Sequence, residues 1–288
     1  MSNSQTIQWF PGHMAKTRRK ITEQLKIIDA VAEIVDARIP VSSRNPELAG
    51  IISGKPHIIL LNKCDMADPA ATAKWIEHYK KSGLIAIPVD CRSGKGIGGF
   101  KDAVKTVLAD RLASYREKGM VGKPLRVMAV GIPNVGKSSF INRIAGNSRA
   151  KVENRPGVTR GNQWFTVDKE LELLDTPGVL WPKFEDETVG EHLAFTGAVT
   201  DRIIDTELLA MRLLEILAKD YPDLLTKRYN ITEFPEESYD LLCAIGKKRG
   251  MMIRGGEVDS ERAAAMVLEE FRTNKIGFIT LERVEDNA

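Results

Sequence analysis

Cysteine is scarce in this 288-residue chain: the three thiols, Cys64, Cys91 and Cys243, are odd in number and far apart. They supply neither a disulfide framework nor the paired spacing of a metal site. His57, His78 and His192 are equally scattered and read as strand, surface and helix residues. No run of about eighteen uncharged apolar residues occurs, so no membrane-spanning helix is expected. Met1 to Gln8 is polar and lacks the apolar stretch of a secretory signal. Internal repeats and low-complexity tracts are missing too. These absences predict a soluble, cytoplasmic protein with no membrane partner.

What is present suits a globular α/β chain. Hydrophobic residues make up 43% and charged residues 28%, which fits one domain of about 150–200 residues plus a smaller one. The net charge of +3 conceals an asymmetry. From Val179 to Ala288 there are 14 Lys and Arg against 22 Asp and Glu, a net of −8; residues 1–178 hold 28 against 17, a net of +11. A basic body of this kind either meets an anionic partner larger than a nucleotide or is an ordinary solvated surface.

Strand-like runs at Val31–Asp36, His57–Leu61, Leu84–Val89 and Leu125–Val130 alternate with helical patterns over Pro69–Lys81 and from about Gly99 to Lys118. The second run is almost wholly apolar, as a central parallel strand should be. Gly119, Gly122 and Pro124 mark a linker. A glycine loop and a helix from about Lys137 come next, then a hairpin pairing Gln163–Val167 with Glu170–Leu174. The alternation predicts an α/β fold with a mostly parallel sheet and helices on both faces. After Pro182 the pattern turns helical, with Asp205 as an N-cap for a helix ending before Pro222, another helix after Pro235, and a third capped by Asp259 or Ser260 and running to about Asn274. Residues 1–182 are therefore assigned to the sheet domain with a basic N-terminal arm, and 183–288 to a C-terminal all-helical domain.

The chemistry sits at the strand ends. Gly131-Ile132-Pro133-Asn134-Val135-Gly136-Lys137-Ser138 fits G-x-x-x-x-G-K-[ST] between a strand and a helix, the context that defines a phosphate loop. Successive N–H groups and the helix amino end would cradle phosphates there. Asn134, Val135, Gly136, Lys137, Ser138 and Ser139 are the expected nucleotide contacts. Lys137 is expected at the β/γ-phosphates and the Ser138 hydroxyl on Mg²⁺. Asp175-Thr176-Pro177-Gly178 ends a strand, offering Asp175 for the second Mg²⁺ contact and the Gly178 N–H for a γ-phosphate. Pro156-Gly157-Val158-Thr159 matches a first switch in which Thr159 caps Mg²⁺; a Pro-Gly turn leading into the hairpin is equally compatible with these residues.

Asn62-Lys63-Cys64-Asp65 ends the second strand. A carboxylate such as Asp65 can accept guanine N1–H and the 2-amino group together. Adenine offers neither donor, so the site would be left with unpaired buried polar groups, a mismatch that discriminates strongly. Asn62 and the Lys63 stem would brace the loop and cover the base. Val89-Asp90-Cys91-Arg92 occupies the position of a Ser-Ala-Lys base loop without its side chains; the Cys91 N–H is the candidate donor to guanine O6.

These motifs resemble those of translation-factor-related GTPases in changed order, with the base-binding half first. The cut falls just after the second switch, and Met120 to Pro124 rejoins the old termini. The fold expected is thus a circularly permuted P-loop GTPase domain followed by a helical domain. Trp9-Phe10-Pro11-Gly12-His13-Met14, Val35-Asp36-Ala37-Arg38, Ser43-Arg44-Asn45-Pro46, Gly131 to Ser138, and Leu173 to Phe184 together resemble the ribosome biogenesis GTPase A family over essentially the whole chain. The resemblance implies GTP and GDP as substrate and product. It also implies binding to the large ribosomal subunit or its precursor, stimulation by that particle, and contact of the helical domain with ribosomal RNA. A monomer is expected, though the residues themselves do not fix the oligomeric state.

Two basic segments could serve RNA: the arm with Lys16, Arg18, Arg19, Lys20 and Lys26, and the turn Lys247-Lys248-Arg249-Gly250. The bland alternative for the second is a helix end with cations near its dipole. The residue after D-T-P-G is Val179, which cannot orient water as a Gln would. His13 is one candidate for that task, or else a structural or RNA-contacting residue. A second candidate is K⁺ held by Asn134 against the phosphates. Thr159, Gly178 and Lys137 complete the expected catalytic set. Three readings of function remain at this stage: an assembly-switch enzyme, a nucleotide-gated binding module, and a GTPase of tRNA modification or signalling.

Overall fold

The computed structural model describes residues 14–120, 122–146, 152–153, 163–178, 180, 186–199 and 205–287. The chain divides into two compact units, one within residues 8–183 together with 282–288, the other within 184–281. The last residues, from Glu282, thus belong with the sheet rather than with the helical segment to which the sequence assigns them.

In the first unit, strands β1 (Ala30–Asp36), β2 (His57–Asn62), β3 (Ile85–Val89), β4 (Leu125–Val130), β5 (Val152–Glu153), β6 (Gln163–Thr166) and β7 (Leu171–Asp175) form one seven-stranded sheet in the order β3-β2-β1-β4-β7-β6-β5. Strands β3, β2, β1, β4 and β7 are parallel neighbours, and β6 and β5 join antiparallel. β1 and β4 lie side by side in the sheet although residues 37–124, with β2 and β3 among them, separate them in the chain. Their shared edge is where the strand order reverses, the place where open α/β sheets bind ligands at their carboxyl ends.

All seven residues of β1 are buried, and the last five of β2. That two-sided burial explains their continuous apolar character. The helices are set by local signals. Asp68 accepts from the N–H groups of Ala70 and Ala71 at the start of α3 (Pro69–Lys81), with Pro69 in the first turn where no donor is needed. Asn45 does the same for α2 (Pro46–Ile52), a short helix with Pro46 in its first turn. The N-terminal arm forms α1 (Met14–Leu25), whose Ile21 and Leu25 enter a core cluster with Ile28, Val31, Met128, Val130, Trp164 and Leu174. The single helix expected to Lys118 is two, α4 (Gly99–Val107) and α5 (Ala109–Glu117), broken at Leu108. No Pro or Gly causes that break; Leu108 is itself buried. α6 (Lys137–Ala145) follows the phosphate loop.

The second unit holds α7 (Glu187–Phe195), α8 (Thr206–Asp220), α9 (Pro222–Tyr229), α10 (Ser238–Lys248) and α11 (Ser260–Arg272). Asp186, Asp205 and Asp259 cap α7, α8 and α11 through their carboxylates. Leu209, Leu213, Leu217, Leu242, Ile245, Val267 and Phe271 are buried there. Arg272 donates to the carbonyls of Phe195 and Ala194, at 3.0 and 2.8 Å, satisfying the end of α7. Among the described residues no helix is long and apolar enough to cross a membrane.

Candidate functional site

Asn62, the last residue of β2, holds the site together. Its side-chain amide donates to the Val135 carbonyl in the phosphate loop at 2.6 Å, and its Oδ1 accepts the Cys91 N–H at 3.2 Å. One buried carboxamide thus ties the phosphate loop to both loops of the proposed base pocket. Each bond contributes about 1 kcal/mol net, but losing the amide would leave two buried backbone groups unpaired at about 1–3 kcal/mol each. The second bond also refines an expectation: the Cys91 N–H is engaged with Asn62, so a contact to guanine O6 would share or replace that bond.

The phosphate loop follows β4 and leads into α6 as expected. Asn134 adopts a left-handed φ of 62°, and Gly136 has a φ of 95°. A Cβ on Gly136 would come within 2.1 Å of the Asn62 amide nitrogen, so both space and backbone require glycine there. A Cβ on Gly178 would stand 2.9 Å from the Pro133 nitrogen, which shows how closely D-T-P-G approaches the loop. Thr176 anchors that approach by donating to the Ala129 carbonyl of β4 at 2.7 Å. Ser138 and Ser139 are exposed at the start of α6. Lys137 is buried, and its Nζ lies 3.0 Å from Asp175 Oδ1. A hydroxyl and a carboxylate beside a phosphate loop are the hard oxygen donors that suit Mg²⁺.

On the base side, Lys63 has a left-handed φ of 60° and a contact to Asp36 Oδ2 at 2.8 Å. Burial and the neighbouring Asp90 push the Asp65 carboxyl pKa up. Burial, Asp90 and Cys64 push the Cys91 thiol up to about 12, and burial with Asp65 raises Cys64. Both thiols are thus held protonated near neutral pH and are poor nucleophiles. Arg143 of α6 donates to the carbonyls of Cys91, at 3.4 Å, and of Arg92, fixing the base loop from the other side. No local pattern in the sequence points to Arg143, or to Asp36 as a partner of Lys63. His13, Thr159 and Val179 lie outside the described residues, as does the segment Pro156–Thr159.

Taken together, the sheet order, the phosphate loop, D-T-P-G and N-K-x-D at neighbouring strand ends define a P-loop GTPase with circularly permuted connectivity. The family described as 50S ribosome-binding GTPase matches residues 126–230. Ribosome biogenesis GTPase A of Priestia megaterium is 53% identical over 279 residues, covering 96% of each chain. GNP-bound YlqF from T. maritima has a similar structure, with a TM-score of 0.66 at 30% identity, covering 94% of this chain and 99% of that one. GDP-bound TM YlqF gives 0.67 at 31%, covering 93% and 100%. The chain belongs to the ribosome biogenesis GTPase A family. It binds guanine nucleotide and hydrolyses GTP.

Proposed function

We propose that this GTPase is an assembly factor of the large ribosomal subunit, binding the subunit or its precursor as a monomer in the cytoplasm, with the GTP state controlling binding and release. The observation that carries the nucleotide part is the Asn62 bridge, which makes the base-reading and phosphate-holding loops one rigid unit. The particle is suggested by the relatives' names.

Asp65 accepts the guanine edge, Lys63 covers the base, and Cys91 offers its N–H to O6. Val135, Gly136, Lys137, Ser138 and Ser139 hold the phosphates. Ser138, Thr159 and Asp175 are the proposed Mg²⁺ contacts; the ion would neutralise charge on the β- and γ-phosphates. The 3.0 Å contact between Lys137 and Asp175 is then a resting arrangement. Each charge exchanges the other for its own partner, Lys137 for phosphate and Asp175 for the metal shell. The Gly178 N–H meets the γ-phosphate, and the segment after it continues into the helical unit, so ordering of this switch would bias that unit. Water activation falls to His13 or to K⁺ held at Asn134.

For RNA, Arg18 and Arg19 on α1 are exposed, as are Lys247 and Lys248 at the end of α10. Arg249 is exposed too but is engaged: it stacks over Tyr229, donates to the Arg228 carbonyl and approaches Glu270 at 3.7 Å. The RNA test therefore belongs to the two lysines. Because the surrounding unit is acidic, their field acts only over about a Debye length. With a non-hydrolysable GTP analogue, the chain should pellet with large-subunit particles more strongly than with GDP. Lys247→Glu with Lys248→Glu should weaken that binding about tenfold while sparing nucleotide affinity. Equal pelleting with both nucleotides would contradict the switch, and equal turnover in K⁺ and Na⁺ would exclude the cation.

A further inference from the structure

Asp36 closes β1 at the register position beside Asn62, and the Ala37 N–H donates to the Asn62 carbonyl at 2.8 Å. The Asp36 side chain is 2% exposed. Its Oδ1 accepts the Arg38 backbone N–H at 3.1 Å and Nε at 3.0 Å; its Oδ2 accepts Arg38 Nη2 at 2.8 Å and Lys63 Nζ at 2.8 Å. The Asp36 N–H is fixed in turn by Ser43 Oγ at 3.0 Å.

Arg38 alone would balance this carboxylate. A second cation on the same oxygen, the partly buried Lys63, therefore calls for a reason beyond neutralisation, because drawing a further charge out of water toward an anion that is already paired is unfavourable unless geometry is gained. The neighbours indicate which geometry. Lys63 departs from the strand with a left-handed φ that non-glycine residues rarely adopt, and Asp65, two residues on, lies close enough to Arg38 to feel its charge. Asp36, Arg38, Lys63 and Asp65 thus form one cluster with two charges of each sign. Burial would push the Asp36 carboxyl pKa up, but Arg38 and Lys63 hold it well below the usual carboxylate range, so it stays ionised at any physiological pH.

We propose that Asp36, clamped by Arg38, is a positioning residue that holds Lys63 in the conformation in which its stem covers the guanine base. This rests on the reading that the Asn62–Asp65 loop receives the base. Asp36 touches no nucleotide and acts only through Lys63. Its effect belongs to nucleotide affinity and not to the hydrolysis step, so it raises KM and leaves kcat nearly unchanged. It preorganises the pocket, so that the lysine is placed before the nucleotide arrives.

The test is a double-mutant cycle on the full chain, read by fluorescent GDP affinity and by steady-state GTP turnover. Lys63→Met should weaken GDP binding about tenfold, and Asp36→Asn by a similar factor, with KM rising and kcat nearly constant. The double variant should be no weaker than Lys63→Met alone. If Asp36→Asn costs as much in the Lys63→Met background as in the wild type, Asp36 is merely structural and the proposal is overturned. If Lys63→Met binds GDP normally, the base-pocket reading falls and takes the proposal with it. Should Asp36→Asn not fold, the lysine ammonium NMR signal of the wild type decides. A slowly exchanging Lys63 resonance, assigned by its loss in Lys63→Met, should be present before GDP is added. Its appearance only with nucleotide would overturn the proposal.

Discussion

At Asp65 two requirements pull against each other. Burial and Asp90 favour the neutral acid, while recognition of two guanine donors needs the carboxylate. In the proposed site, guanine binding would resolve the conflict by replacing lost water with two hydrogen bonds to the ionised form. Because the pKa of the free site is raised from 3.8, protonation sets in at a higher pH than for an ordinary Asp. GDP affinity should therefore be at its maximum near neutral pH and fall as the solution is acidified through that raised pKa. Asp65→Asn should abolish this acidic limb and reduce GDP affinity at least a hundredfold. It should favour xanthosine diphosphate, whose 2-carbonyl can accept from the new amide. An acidic limb that persists in Asp65→Asn would assign the titration to another group.

Among the elements, the tail returning to the sheet is the least expected. The Glu282 carboxylate accepts from the Ser42 N–H at 2.9 Å, from the Ser42 hydroxyl and from the Val41 N–H. The Glu282 carbonyl accepts Trp75 Nε1 at 2.9 Å, and Lys74 pairs with Glu285 at 2.7 Å. The surface pair contributes little, whereas the buried bonds to a charged acceptor contribute about 1.5–3 kcal/mol each before losses elsewhere. Ending the chain after Leu281 should lower stability by about 2–4 kcal/mol in denaturant titration, with Trp75 fluorescence shifted to longer wavelength. An unchanged midpoint would mean that the tail is only laid on the surface. This contact joins residues 240 apart in sequence, and nothing local at either end announces it. The elements that could be read carry their own signals: Asp68-Pro69 for α3, Asp205 for α8 and Asp259 for α11. α1 lacks one, being largely polar, and α2, although capped by Asn45 before Pro46, is short with Gly50 inside it. The site divides in the same way. The phosphate loop, D-T-P-G and N-K-x-D are contiguous because each is one turn of backbone at one strand end, and so they are legible. The Asn62 bridge, the Arg143 staple and the Asp36–Lys63 clamp link different strand ends and exist only once the sheet has formed.

On the scale of the whole molecule, the sheet order explains the permutation. Taking β4 to β7 first and then β1 to β3 restores an uninterrupted P-loop GTPase, with β1 and β4 adjacent at the point where the strand order reverses. Cutting and rejoining the chain left these pairings intact and changed only what is connected to what. The helical unit, within 184–281, is now covalently continuous with the D-T-P-G switch at its start and with the Glu282 tail at its end. In the proposed function, a γ-phosphate held at Gly178 would act on the segment leading straight into that unit, as nucleotide control of an assembly factor requires. GTP turnover of the full chain, measured with each purified ribosomal subunit and with the large-subunit precursor, decides whether the large subunit is the partner. Large-subunit particles should raise the rate at least tenfold over the free protein, and small subunits should leave it unchanged. Equal rates with all three particles would contradict the assignment of the large subunit as partner.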